Sequence, residues 1–161
     1  MATNDELIMG LEVLIRETRR IAADLSEEQW EQAIDLDGWC NKQVLAHVAG
    51  IGAIVVPLVA AMATAPQGRD ITTGNDINAM NAGIVDARAG KSAADLADEV
   101  ARNYGAVIDY VRTAPEATLQ KRATMGGHKD LPISDLLMRA IVLHGIGHIY
   151  SVYSGIFFAR P

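Results

Sequence analysis

Cysteine is almost missing from this sequence. Its 161 residues include a single one, Cys40, which excludes an intramolecular disulfide framework and suits a reducing compartment. Aromatic residues make up only 5%, so close packing is expected to come from Ala and Gly instead. Clustered basic charge is absent as well. Lys and Arg number 14 against 20 Asp and Glu, a formal charge of −6, and the longest basic clusters are Arg19-Arg20 and Lys121-Arg122. Nucleic-acid binding needs grouped cations that displace counterions from phosphate, so no nucleic-acid partner is expected. The charged residues among the first six, Asp5 and Glu6, are acidic rather than basic, which argues against a secretory signal. Histidine is scarce too, at four.

What the chain does have is apolar residues, 50% of the total, in a length suited to one domain over residues 1–161. Two stretches, Val44 to Ala65 and Ala140 to Ala159, contain no Asp, Glu, Lys or Arg and approach the length of a membrane span. Pro57 interrupts the first, and both hold histidines, a costly placement in lipid. Both are therefore expected to be buried bundle helices of a cytoplasmic protein, or a subunit contact, with no membrane partner.

Helical periodicity and capping signals organise the rest. Thr3 to Glu6 is a capping-box pattern before apolar positions Leu7, Leu11, Leu14, Ile15, Thr18, Ile21, Ala22 and Leu25. Ser26 to Gln29 opens a short helix with Trp30, stopped at Asp37-Gly38. A long helix is expected from Asn41 to about Ala65, bent at Pro57. Others follow at about Asp76 to Ala89, Ser92 to Thr113 (buried stripe Leu96, Val100, Tyr104, Val107, Ile108, Val111) and Ser134 to Phe158. No stretch alternates with period two, so no strand is expected. The fold class is all-α, with a four-helix bundle as its architecture. Gly50, Gly52, Ala60, Ala61, Gly145 and Gly147 would let its backbones approach closely.

His144 and His148 are four apart in a helical segment, so both imidazoles project from one face and can converge on one ion. His47 sits mid-helix in the other charge-free stretch. A buried imidazole needs partners for both nitrogens, and these helices offer few. A metal ion would satisfy three imidazoles at once; alternatively each is a core histidine bonded to a backbone carbonyl or to water. Three histidines would leave a coordination position open to water or substrate, which favours catalysis over a closed structural site.

The run Gly38-Trp39-Cys40-Asn41-Lys42-Gln43-Val44-Leu45-Ala46-His47-Val48 resembles the Gly-Trp-Ser/Thr-x-x-x-Val-x-x-His-Leu signature of the DinB-like superfamily. More narrowly, it resembles the branch that contains the N-terminal domain of mycothiol-dependent maleylpyruvate isomerase. Leu143-His144-x-x-x-His148-Ile149 is similar to the second metal motif of that superfamily, and Asn75 to Asn81 to the start of its third helix. The resemblance implies a DinB-like four-helix bundle holding a divalent ion, zinc or nickel, on His47, His144 and His148. It also implies a metal-dependent transferase or isomerase working with a thiol such as mycothiol or bacillithiol, often as a homodimer. Cys40 stands where Ser or Thr usually caps the helix, and Asn41 is expected to take over that cap.

The leading expectation is a metal-dependent thiol S-transferase acting on a small electrophile, with Asn78 and Asn81 as donors to the thiol cofactor. The alternatives are a hydrolase using metal-bound water, a non-catalytic metal- or ligand-binding bundle of the stress-response kind, and a metal-free structural homodimer. Cys40 reads as a cap-region residue rather than a nucleophile. His128, after Gly126-Gly127, reads as a solvated loop histidine that could join the site if the loop folds over it. Trp30 and Trp39 read as core anchors, and helix packing accounts for Tyr150 and Tyr153.

Overall fold

Capping chemistry sets the helix starts. At α1 (Asn4–Asp24) the Thr3 hydroxyl accepts the Glu6 amide at 3.2 Å, while the Glu6 carboxylate accepts the Thr3 amide at 2.8 Å. The same reciprocal box opens α2 (Glu27–Glu31) from Ser26 and α5 (Ala93–Thr113) from Ser92. A computed structural model of the chain describes residues 1–33 and 38–157. α2 ends at Glu31, where the Gln32 N–H turns back to the Gln29 carbonyl, so the short helix stops earlier than the expected Asp37-Gly38. The expected helix end at Phe158 lies outside the described residues.

The cap of α3 (Asn41–Thr64) corrects one expectation. Cys40, with extended backbone, is the N-cap, and its N–H donates to Gln43 Oε1 at 2.9 Å. Asn41 is the first helical residue instead, and its side-chain amide reaches back to the Gln29 carbonyl at 2.8 Å, tying α2 to α3. The helix then runs through Pro57. Proline removes the donor that the Ala53 carbonyl would use, but both residues are exposed and water can serve that carbonyl. α4 (Ile77–Asp86) is capped by Asp76, whose carboxylate accepts the Ala79 amide at 3.0 Å.

The expectation that no strand would form fails in one place. Between the five-residue α6 (Glu116–Gln120) and α7 (Ile133–Leu137), β1 (Arg122–Met125) pairs antiparallel with β2 (His128–Pro132). Arg122 faces Pro132 and Met125 faces His128. Strands this short cannot show an alternation, so the signal lay in the turn. Gly126 and Gly127 have φ of 58° and 83°, a backbone that two-residue hairpin turns need and glycine supplies without strain. Asp70 holds this hairpin, accepting the amides of Gly126 and Gly127, each at 3.3 Å.

The bundle forms around α5, which packs along α1 and α3, while α8 (His144–Phe157) packs on α3 and α1 and α4 lies against α3. The whole apolar stripe expected on α5 is buried, facing Leu7, Leu11 and Leu14 of α1 and Val44, Val48 and Val55 of α3 among the core residues. Each large aliphatic side chain so buried contributes about 1.5–3 kcal/mol of transfer free energy. Close approach occurs at some of the expected small residues. A Cβ at Gly52 would lie 2.8 Å from the Tyr104 ring, one at Gly145 would lie 2.8 Å from Leu14, and one at Gly50 would collide with Ile84 and Arg88. Gly147, Ala60 and Ala61 do not serve this purpose: nothing lies within 4 Å of a Cβ at Gly147, and both alanines are exposed. α3 and the helical run Ile133–Ile156 are long and apolar enough to cross a membrane by length and composition, and 56% of the apolar window of α3 is buried inside the bundle.

Candidate metal centre

α3 and α8 cross with their histidines facing each other. His47 lies in the second turn of α3, just before Val48 and Ala49, whose carbonyls accept the Tyr104 hydroxyl at 3.1 Å and the Asn103 amide at 2.9 Å. Those two bonds pin α3 to α5 immediately beyond the histidine. His144 begins α8 and His148 follows one turn later, on the face that meets α3.

His144 Nε2 lies 3.3 Å from His47 Nε2 and 3.0 Å from His148 Nε2, and one nitrogen from each ring falls within 4.8 Å of the others. Ligands about 2.0–2.1 Å from a common ion have nitrogens about 3.3 Å apart in tetrahedral geometry and about 2.9 Å apart at right angles. The two spacings at His144 match that range, and the three nitrogens could hold a metal ion. Apart from these contacts, the three rings show no hydrogen bond to a backbone carbonyl among the described residues, which removes one support for the core-histidine alternative. No carboxylate or thiol joins the cluster among the described residues.

Electrostatics keeps the rings neutral. Burial, with the neighbouring histidines adding to it, brings His47 down to about 4, and burial with His144 beside it brings His148 to about 4. His144 reaches the surface, yet partial desolvation lowers it in the same direction. Neutral imidazoles with converging lone pairs are the donor set that a borderline cation takes. His47 Nδ1 is buried and unpartnered among the described residues; the Trp39 ring packs beside it, centroids 5.3 Å apart.

The cluster opens on a groove of about 400 Å³ walled by Ile51, Ile54, Leu58, Met80 and Met125, with Asn75, Asn81, His128 and Arg139 as polar points. The volume falls within the usual range of small-molecule sites. Of the two asparagines singled out in the sequence, Asn81 lines this groove and Asn78 is exposed outside it, with Asn75 as the second amide. His128 starts β2 and lines the groove, but it is not one of the three clustered histidines. Cys40 lines a different cavity with Glu31 and Lys42. Trp30 is a core anchor, 1% exposed, whereas Trp39 stands against His47. Tyr150 and Tyr153 line a small apolar cavity with Leu14 and Ile146, apart from the groove. Sequence reasoning missed Arg139, although it is the one charged residue between Asp135 and Arg160.

A helical bundle with histidines converging from two of its helices defines the class, and sequence comparison agrees. The family model described as the mycothiol maleylpyruvate isomerase N-terminal domain matches residues 11–145, and the chain belongs to that family, within the DinB-like superfamily. The matched span contains His47 and His144 and stops three residues short of His148. Among solved structures, a crystal structure of a histidine-to-alanine mutant of the mycothiol-dependent maleylpyruvate isomerase is similar, with a TM-score of 0.64 and 14% identity. The match covers 91% of this chain and 62% of that one, so the chain spans less than two thirds of that protein's length. At that identity the likeness is one of fold. No curated protein matches the chain in sequence.

Proposed function

We propose that this chain is a divalent-metal-dependent enzyme that transfers a low-molecular-weight thiol, of the mycothiol or bacillithiol type, to an electrophilic substrate. The carrying observation is the convergence of three neutral imidazoles at 3.0 and 3.3 Å beside an apolar groove, in a chain of the mycothiol maleylpyruvate isomerase N-terminal family. His47, His144 and His148 would hold the ion, zinc or nickel. Bound there, the ion would supply Lewis acidity that keeps a thiol deprotonated near neutral pH.

The chain's own residues do the remaining work. Ile51, Ile54 and Leu58 on α3 exclude water from one wall of the groove, which strengthens every electrostatic contact within it. The Asn75 and Asn81 amides offer neutral donors and acceptors to the polar body of a thiol cofactor. Among the described residues no Asp or Glu lines the groove. In this reading residues 1–161 are one bundle domain acting in the cytoplasm as a homodimer. Leu143, just before α8, and Tyr150, within it, are 55% and 67% exposed and would give a second copy an apolar face.

Thiol consumption with chlorodinitrobenzene tests the reading. Turnover is expected only with added zinc or nickel, and is expected to vanish in His148→Ala. Activity that persists in that variant overturns the proposal. Ester hydrolysis without any thiol would replace transfer by metal-assisted hydrolysis as the reaction.

A further inference from the structure

The helix that carries His144 and His148 is irregular just before them. Residues Met138–Leu143 form a π-helical segment between α7 and α8. In a regular α-helix, residues five apart point about 140° away from each other. The wider i→i+5 turn of a π segment brings such residues closer to one face, and segments of this kind recur at functional sites. Arg139 lies within this segment and lines the groove together with His144, the residue that follows the segment.

Arg139 is exposed and makes no hydrogen bond or ion pair among the described residues. Arg88, by contrast, lines the separate cavity beside Cys40 and is held by Glu99 at 2.7 Å. Among the described residues no Lys, Asp or Glu lines the groove, and the Arg139 guanidinium is the one fixed charge on its wall. The remaining wall is aliphatic or thioether, and part of it, including Ile77 at 40% and Met80 at 37% exposure, is left open to solvent. An apolar groove with one unpaired cation among the described residues of its wall complements one kind of small molecule.

We propose that the groove binds an amphipathic monoanion, an aliphatic or aryl chain ending in a carboxylate. The carboxylate sits on the Arg139 guanidinium and the chain lies along Ile51, Ile54, Leu58 and Met80. Arg139 is then a specificity-determining residue for the electrophile. Guanidinium and carboxylate pair through two parallel N–H···O bonds, which fixes the direction of the chain in the groove as well as its charge. The inference rests on the reading of this groove as the substrate site of the three-histidine centre.

Isothermal titration calorimetry on the full chain tests it, with octanoate, octanamide and octylamine as probes, in metal-free and zinc-loaded protein. Octanoate is expected to bind at least tenfold more tightly than octylammonium in both forms. Arg139→Gln is expected to weaken octanoate about tenfold and leave octanamide unchanged, and Arg139→Lys to recover part of the loss. The melting temperature of Arg139→Gln is expected to match the wild type, since this side chain holds nothing else in place. Octanoate binding that is insensitive to Arg139→Gln, or that appears only with zinc, overturns the inference. Arg139-dependent binding in a protein that takes up no metal would uphold it while the proposed transferase falls. Metal-dependent thiol transfer with Arg139-independent octanoate binding would do the reverse.

Discussion

Replacing Gly52 with alanine tests whether the bundle is closed by direct contact between α3 and α5 next to His47. The new Cβ would stand 2.8 and 3.0 Å from two carbons of the Tyr104 ring and 3.1 Å from Asn103 Cβ. Non-bonded carbons rest about 3.5–4.0 Å apart, so the shortfall is about 0.7 Å. The ring has nowhere to go: Tyr104 is 1% exposed and its hydroxyl donates to the Val48 carbonyl. Overpacking of this kind costs about 1–3 kcal/mol, offset by the roughly 1 kcal/mol that alanine gains over glycine inside a helix. The expected net loss is about 1 kcal/mol. Gly105, inside α5, is the control, since a Cβ there meets nothing within 4 Å. Gly105→Ala is expected to stabilise by up to about 1 kcal/mol. Urea unfolding followed by far-ultraviolet circular dichroism reads both. The same chemical change should move the midpoint in opposite directions, about 2 kcal/mol apart. A Gly52→Ala protein as stable as Gly105→Ala would refute the packing argument.

Acid is expected to destabilise the metal-free protein in a defined window. His47 and His148 stay neutral in the fold down to about 4, whereas an unfolded histidine takes its proton near pH 6.5. Stability is therefore full above pH 6.5 and lost as the pH falls toward 4, by roughly 2–4 kcal/mol for the pair after solvent screening of partly exposed rings. Melting curves between pH 7.5 and 4.5 check this, and a flat profile in His47→Ala/His148→Ala assigns the loss to these rings. Glu99 is 7% exposed and bound by Arg88 and Lys91; desolvation would raise its carboxyl, but the two cations outweigh it and hold it low. Removing it in Glu99→Ala strands Arg88, 14% exposed, at the end of α4, and denaturant titration is expected to show a loss of about 2–4 kcal/mol. Cys40→Ser is expected to raise stability by up to about 1 kcal/mol through a better N-cap and to leave thiol-transfer turnover intact, since Cys40 is not in the groove.

The helices were legible because their signals are local. A capping box needs four residues, and the α5 stripe needs only its own spacing, so both were read correctly from Thr3, Ser26, Ser92 and Leu96 to Val111. The hairpin was not, because Gly126-Gly127 marks a turn without saying that the residues on either side will pair, and its docking on Asp70 is a long-range event. The histidines were found through their scarcity and their place in charge-free segments, which is a statement about burial. The groove was only half visible. Asn81 lies in it and Asn78 does not, since one residue of helical register decides which side chain turns inward. Arg139 escaped notice because an α-helical reading points it about 140° away from His144, and nothing in the sequence marks the π segment in which it lies.

Metal content bears most directly on the central claim. Protein purified without a His tag, dialysed against zinc or nickel and then against metal-free buffer, is expected to retain roughly one divalent ion per chain by elemental analysis. His144→Ala removes the ring that both other imidazoles face, at a surface position that the core does not need, and is expected to fold normally and retain almost none. Less than about a tenth of an equivalent in the wild type, or an equal content in the folded variant, would contradict a three-histidine metal centre.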